Sequence, residues 1–165
     1  MTKAKSPTFN VHFRRRREGK TNFAKRLALI KSGKPRLVVR RSNKDIIVQF
    51  IEFDPKGDRT LLTVNGATLS KTYKWPSKRN SWTAYLAGLA AGKMAGKKGV
   101  SDFVFDMGMY TPSKGSITYA VLKGVVDAGL KTPYDKEKIS EQKIMNPPEP
   151  VKSVFNTLRT KLMSG

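Results

Sequence analysis

Apolar positions along the chain recur with two different periods, and the switches between them mark out the elements. In residues 21–32 (T-N-F-A-K-R-L-A-L-I-K-S), Phe23, Leu27 and Ile30 lie at helical spacing on one side, leaving Lys25 and Arg26 on the remaining surface. Thr21 or Asn22 supplies the cap of this helix, and Gly33 to Pro35 stop it and start a strand. Residues 37–41 and 46–53 are then rich in β-branched and aromatic side chains. Ser42-Asn43-Lys44-Asp45 between them is turn chemistry, since Asn tolerates a left-handed backbone and Asp bonds its own backbone. A second turn at 54–58 leads to a third strand at 60–64, which gives a three-stranded antiparallel meander.

Residues 65–80 show no clean period and read as a long loop of the kind that is functional or disordered in a compact domain. Asn80 or Ser81 caps a helix running to about residue 97, with apolar positions Trp82, Tyr85, Leu86, Leu89 and Met94. A strand follows at 102–106, a loop at 107–115, and a helix at 116–128 with Ile117, Val121, Leu122 and Val125 turned inward. Gly129 ends that helix and Pro133 keeps it ended. Residues 132–149 are charged and proline-interrupted, and read as a tail. A last helix at 151–163 carries the stripe Val151, Val154, Phe155, Leu158 and Leu162, which docks on its own domain or on a neighbour.

The expected fold class is therefore α/β. A mixed sheet begins with the meander and is completed through a helical crossover, right-handed if the strands near residues 64 and 103 are parallel. Helices pack on the sheet. Residues 1–33 form a basic arm with a short helix, of which 1–12 are extended or disordered when free. Residues 34–131 form the core, and 132–165 a C-terminal extension.

Charge changes this picture most. The chain carries 33 Lys plus Arg against 12 Asp plus Glu, a net +21 in 165 residues. Self-repulsion of that size favours a polyanionic partner. Residues 1–41 hold 14 of the basic residues and one acid, so the charge is concentrated in the arm. Hydrophobic residues make up 38%, below the roughly 45–50% usual for globular chains, as expected of a compact core with polar extensions. No run of about 18 apolar residues offers a membrane-spanning helix, and the N-terminus has charge without the apolar run of a secretory signal. The absence of cysteine removes disulfides, thiolate zinc sites and thiol catalysis, and fits an intracellular protein.

The densest signal is F-R-R-R-R-E-G-K-T-N-F-A-K-R at residues 13–26. Arg14, Arg15, Arg16 and Arg17, followed by Lys20, Lys25 and Arg26, form either a solvated tail or localisation address, or an arm that orders on phosphates. The continuation into a helix favours the arm, because guanidinium forks match phosphate geometry. Gly19-Lys20-Thr21 resembles the end of a nucleotide-binding loop, but position 14 is arginine where that loop needs glycine, and no strand precedes it. Residues 71–79 (K-T-Y-K-W-P-S-K-R) interleave cations and aromatics. Tyr73 and Trp75 either stack on unpaired bases or anchor the segment to the core. Gly88, Gly92 and Gly96 recur every fourth residue, giving a thin helix face for close packing on the sheet or for approach to an RNA backbone. For catalysis the chain offers little. His12 is the only histidine and lies in the arm. Asp102 and Asp106 flank one strand without a nearby third ligand, where turn and cap roles are commoner than metal binding.

Five ordered stretches now stand together: F-R-R-R-R-E-G-K-T at 13–21, R-L-V-V-R-R-S-N-K-D-I-I-V-Q at 36–49, A-Y-L-A-G-L-A-A-G at 84–92, F-D-M-G-M-Y-T-P-S-K-G-S at 105–116 and L-K-G-V-V-D-A-G-L at 122–130. Together they resemble the universal L-eighteen family of large-subunit ribosomal proteins in its archaeal and eukaryotic form. The resemblance implies a non-enzymatic α/β protein, without cofactor, membrane or small-molecule substrate, in the cytoplasmic large subunit. It implies binding to 5S rRNA, attachment of that RNA to the large rRNA in the central protuberance, and neighbouring ribosomal proteins as partners. In the family the basic N-terminal segment and one sheet face contact RNA. On this chain that points to Arg14, Arg15, Arg16, Arg17, Lys20, Thr21, Lys25, Arg26, Arg40, Arg41, Ser42, Asn43 and Lys44. The basic–aromatic argument adds Lys71, Tyr73, Trp75, Lys78 and Arg79, in a stretch that departs from the family's usual Leu-Pro-Lys-Tyr and glycines. A nuclease or a DNA-packaging protein would share the basic footprint, but a nuclease needs a carboxylate cluster or an acid–base pair that this sequence does not show.

Overall fold

One central strand organises the sheet. In this computed structural model, which describes residues 6–149 and 151–164, β1 (Arg36–Arg41) pairs antiparallel with β2 (Ile46–Glu52) on one side and parallel with β4 (Val104–Asp106) on the other. β3 (Arg59–Asn65) continues the meander from β2, so the order is β3-β2-β1-β4. β3 and β4 run in the same direction from opposite edges, and the helical connection between them crosses β2 and β1. The part of the arm at residues 1–5 lies outside the described residues.

Local chemistry accounts for the turns. In the β1–β2 hairpin, Ser42 N–H donates to the Asp45 carbonyl at 2.9 Å, and the Ser42 hydroxyl accepts from Asp45 N–H at 2.9 Å. Asp45 Oδ1 then accepts from Ile46 N–H at 2.7 Å and from Gly66 N–H at 2.8 Å, which ties the hairpin tip to the start of the next helix. Along β1 the alternation sends Leu37 and Val39 into the core with Val48, Phe50, Leu62 and Val64, all buried.

Seven α-helices are formed among the described residues: α1 (Arg14–Arg17), α2 (Phe23–Ile30), α3 (Gly66–Tyr73), α4 (Ser81–Lys97), α5 (Ile117–Asp127), α6 (Glu141–Met145) and α7 (Val151–Ser164). Asn22, Asn65 and Asn80 cap α2, α3 and α4 through their side-chain oxygens, as N-cap chemistry requires. α3 occupies the stretch read as a loop. Its residues include Gly66, Thr68, Ser70 and Thr72, all poor helix formers, and only Gly66 and Leu69 are buried. Capping and the close seat of Gly66 against the carbonyl of Lys78 form this helix without an amphipathic pattern to announce it; a Cβ at Gly66 would lie 2.3 Å from that oxygen.

α4 and α5 cover one face of the sheet, and their mutual contact uses the glycines. A Cβ on Gly88 would lie 2.2 Å from the carbonyl oxygen of Val121, and one on Gly124 would lie 2.2 Å from that of Tyr85. Gly88 and Gly92 of the α4 repeat thus serve contact with a second helix, not with the sheet as their spacing alone suggests. Gly96, the third of the repeat, faces open space.

The segment after residue 131 is not a free tail. Ile139 and Ile144 are buried, and Trp82 Nε1–H donates to the Lys143 carbonyl at 3.1 Å. α7 docks on its own chain through Phe155, Leu158 and Leu162, with the Phe155 ring 5.9 Å from Tyr85 and 6.3 Å from Trp75. A polar chain reinforces this seat. Arg159 Nε–H donates to Tyr85 Oη at 3.2 Å, and Tyr85 donates to Asp127 Oδ2 at 3.0 Å. Lys123 Nζ lies 3.0 Å from both Asp127 and Glu141. Burial opposes the Lys123 charge, but the two carboxylates outweigh it and hold its pKa above the ordinary value. Burial also raises the Tyr85 pKa, and Asp127 adds to the rise.

This packing sets the cost of two kinds of substitution. Gly88→Ala and Gly124→Ala each force rigid backbone apart and lose roughly 1–3 kcal/mol of stability, whereas Gly96→Ala gains up to about 1 kcal/mol; thermal unfolding followed by circular dichroism measures both. Tyr85 has a folded-state pKa above its unfolded value of about 10, so its hydroxyl contributes stability below that pH and loses the contribution as pH rises through the folded value. The stability difference between the wild type and Tyr85→Phe in urea unfolding is therefore constant below pH about 10 and narrows above it.

Candidate nucleic-acid interface

The sheet face opposite α4 and α5 carries Arg36, Val38 and Arg40 by strand alternation. The first of these is the unexpected one, because Arg36 is 4% exposed. Two acids compensate its charge. Its Nη1–H donates to Asp106 Oδ2 at 3.0 Å, and its Nη2–H donates to Asp58 Oδ2 in the β2–β3 turn. Asp58 Oδ2 also accepts from Arg26 Nη2–H of α2 at 2.9 Å, and Asp106 Oδ1 lies 3.6 Å from Arg40 Nη2. A ladder Arg26–Asp58–Arg36–Asp106–Arg40 thus runs from the arm through the sheet. Arg36 Nε is buried without a partner among the described residues.

The ladder holds α2 over the sheet across a cleft of about 560 Å³. Arg15, Lys20, Lys25 and Arg26 line one side, Arg36, Val38 and Arg40 the floor, and Met107, Gly108 and Tyr110 an end. α2 and its cap present Asn22, Lys25, Arg26 and Leu29 to this space. None of the helix residues is buried, and Leu27, expected on one side with Phe23 and Ile30, is 56% exposed, while those two and Arg26 are partly covered.

The predicted residues fall into distinct settings. Arg14–Arg17 form one exposed helical turn in which Arg15 Nε–H donates to Thr21 Oγ1 at 2.9 Å. Lys20 pairs with Glu18 at 2.8 Å, and that hydrogen bond holds the exposed Glu18 carboxyl below its usual pKa. The Arg41 guanidinium lies 4.6 Å over the Tyr110 ring, whose hydroxyl donates to the Arg41 carbonyl at 2.8 Å. The loop at 107–112 therefore positions both arginines at the end of β1, since Gly108 also sits against the Arg40 guanidinium. Ser42 spends its hydroxyl on the hairpin turn, while Asn43 offers its carbonyl to Arg79 Nη1–H at 3.1 Å. That contact brings Asn43 and Lys44 together with Lys78 and Arg79, two groups that lie far apart in sequence.

Lys71 is exposed on α3, and Tyr73, half-buried, lies under Lys161 Nζ of α7 at 5.7 Å. Trp75 takes the anchoring role. It is 1% exposed, its Nε1–H donates to Thr83 Oγ1 at 2.7 Å, and no face of its ring is open to a base. The left-handed residue Lys74 turns the chain so that the indole points into the core. Asp102 pairs with Lys34 at 3.5 Å and Asp106 with arginines. No cluster of three metal-ligating side chains occurs among the described residues.

Sequence reasoning missed Arg36, Asp58, Asp106 and Tyr110 as parts of this surface. The alternation of Arg36, Val38 and Arg40 is the available signal for the first; the acids lie 22 and 70 residues away from it, beyond the reach of any local pattern.

The family model described as ribosomal large subunit proteins 60S L5 and 50S L18 matches residues 7–102. A large ribosomal subunit protein uL18 from Korarchaeum cryptofilum is 48% identical over 140 residues, covering 84% of this chain and 71% of the relative. Another uL18, from Saccharolobus solfataricus, is 41% identical over 167 residues, covering 98% of this chain and 84% of the relative.

The ladder yields a stability test. Asp106→Ala leaves a buried guanidinium short of one carboxylate and costs about 3–5 kcal/mol, while Arg26→Ala, at a partly exposed pair, costs under about 1 kcal/mol. Urea unfolding of the two variants distinguishes them; equal losses would show that Arg36 is not the buried member that matters.

Proposed function

We propose, from the premise that this chain belongs to the family of ribosomal large subunit proteins 60S L5 and 50S L18, that it binds 5S rRNA and ties it to the large rRNA in the central protuberance. As a member of that family it is a structural constituent of the large ribosomal subunit and not an enzyme. The observation that carries the finer reading is the cationic cleft. One sheet face is covered by α4 and α5, and the opposite face, with α2 held above it, gathers Arg15, Lys20, Lys25, Arg26, Arg36 and Arg40.

Phosphates would meet the exposed cations in and beside this cleft, namely Arg14–Arg17, Lys20, Lys25 and the end of β1 at Arg40 and Arg41. The second group at Asn43, Lys44, Lys78 and Arg79 extends the same footprint past the hairpin tip. Phosphate contacts of this kind supply affinity and register, and bases are read where the RNA is unpaired. In this reading residues 1–33 act as the RNA-facing arm, 34–131 as the α/β core, and 132–165 as an extension whose outer surface meets neighbouring ribosomal proteins.

Binding of 5S rRNA is expected to weaken steeply between low and physiological salt, with a log–log slope that falls by about one for each phosphate-contacting arginine of the Arg14–Arg17 run changed to alanine. Gel-shift titrations over a salt series, with duplex DNA as competitor, measure this. A flat salt response, or equal affinity for the duplex, would sink the assignment.

A further inference from the structure

The arm holds an aromatic feature that phosphate binding does not use. Phe13 is 76% exposed, the most exposed large apolar side chain among the described residues. It is nevertheless held in place. Its carbonyl accepts from Arg16 N–H at 2.9 Å and from Arg17 N–H at 3.1 Å, so its backbone caps the arginine turn. Phe23 of α2 supports the ring from one side, with centroids 5.5 Å apart and planes at 55°. Lys20 N–H donates to the Arg15 carbonyl at 2.9 Å and Arg15 Nε–H to Thr21 Oγ1 at 2.9 Å, which fixes the turn against the link to α2. The ring, its support and the arginine turn therefore form one local unit.

What covers an exposed ring depends on its rim. Here the charged side chains nearest in sequence are Arg14–Arg17 and Lys20, and the one acid, Glu18, is already engaged by Lys20 and Arg14. An apolar protein partner closing over Phe13 would strip water from those guanidiniums without pairing them, at high cost. A nucleic acid satisfies both demands at once, because its bases stack on the ring while its phosphates accept from the arginine forks.

We infer that Phe13, propped by Phe23, is a stacking platform for an unpaired base of the RNA that the arm grips. The inference rests on the RNA-binding reading and deepens it: the arm reads a base position as well as neutralising charge.

The test compares Phe13→Ala, Phe13→Leu and Phe13→Trp in the full chain, with 5S rRNA and, separately, with a short unstructured oligoribonucleotide. Stacking predicts that the Ala and Leu variants lose roughly 5- to 100-fold in affinity, that Trp retains it, and that the salt slope is the same in all three. Fluorescence of the indole that Phe13→Trp introduces, read as the difference from wild type, is quenched on binding. Base-specific chemical probing of bound 5S rRNA shows an unpaired nucleotide protected by wild type and reactive again with Phe13→Leu. Wild-type affinity in both the Ala and Leu variants overturns the platform and leaves the ring to a protein contact. So does equal loss in Leu and Trp, which marks a structural role. If 5S rRNA proves not to be the target, the same ranking on the oligoribonucleotide still decides the stack.

Discussion

A guanidinium buried at the end of the central strand is the constraint from which the cationic half of this protein follows. Arg36 is nearly inaccessible, and a buried charge is tolerated only when it is paired. Its two carboxylates come from the β2–β3 turn and from β4, and each carboxylate reaches one arginine more, on α2 and at the far end of β1. In a chain with 12 acids against 33 basic residues, two of the few acids are placed where they fix three arginines in a row. Asp58 and Asp106 thus fasten the more exposed Arg26 and Arg40 to the buried Arg36.

The other half of the molecule is organised by close backbone approach. Glycines on α4 and α5 let the two helices meet at close range, and α6 and α7 pack against α4. Phe155 and the polar chain from Arg159 through Tyr85 and Asp127 to Lys123 and Glu141 fasten the extension to both helices. The basic arm and the extension therefore lie in different environments, one held by shared carboxylates over an open cleft and the other packed into apolar surface.

Much of this is legible from side-chain periodicity. The meander, its two turns, α4 and α5 all announce themselves, because β-branched runs, Asn-Lys-Asp turn chemistry and capped apolar repeats are local signals. α3 is hidden, since a helix of Gly, Thr and Ser formed by a cap and a glycine contact has no amphipathic stripe. The extension reads wrongly as a tail because its buried residues, Ile139 and Ile144, stand isolated among charges and prolines. Trp75 has the look of a base platform in a run of cations; only the left-handed turn at Lys74 shows that the indole goes inward. At the candidate site, the exposed cations are visible in the sequence. The acids that hold them are not, because ion pairs across 22 to 70 residues leave no trace in spacing.

The sequence separation of those two carboxylates has a consequence for how the chain comes to be folded. Asp58 follows Arg36 by 22 residues and is within reach as soon as the meander closes, but Asp106 follows by 70 and arrives only after α3 and α4 have been traversed. Until then β1 is an edge strand of the three-stranded meander, without its parallel neighbour and with only one of the two carboxylates that pair Arg36. The meander is thus poorly suited to persist alone, and the last strand to be synthesised supplies a hydrogen-bonded edge and a neutralising group in one step. Long-range pairing of this type slows the search for the native state. The arm is thus tied to the sheet through Asp58 before the buried charge of Arg36 is fully compensated, and β4 completes the pairing last.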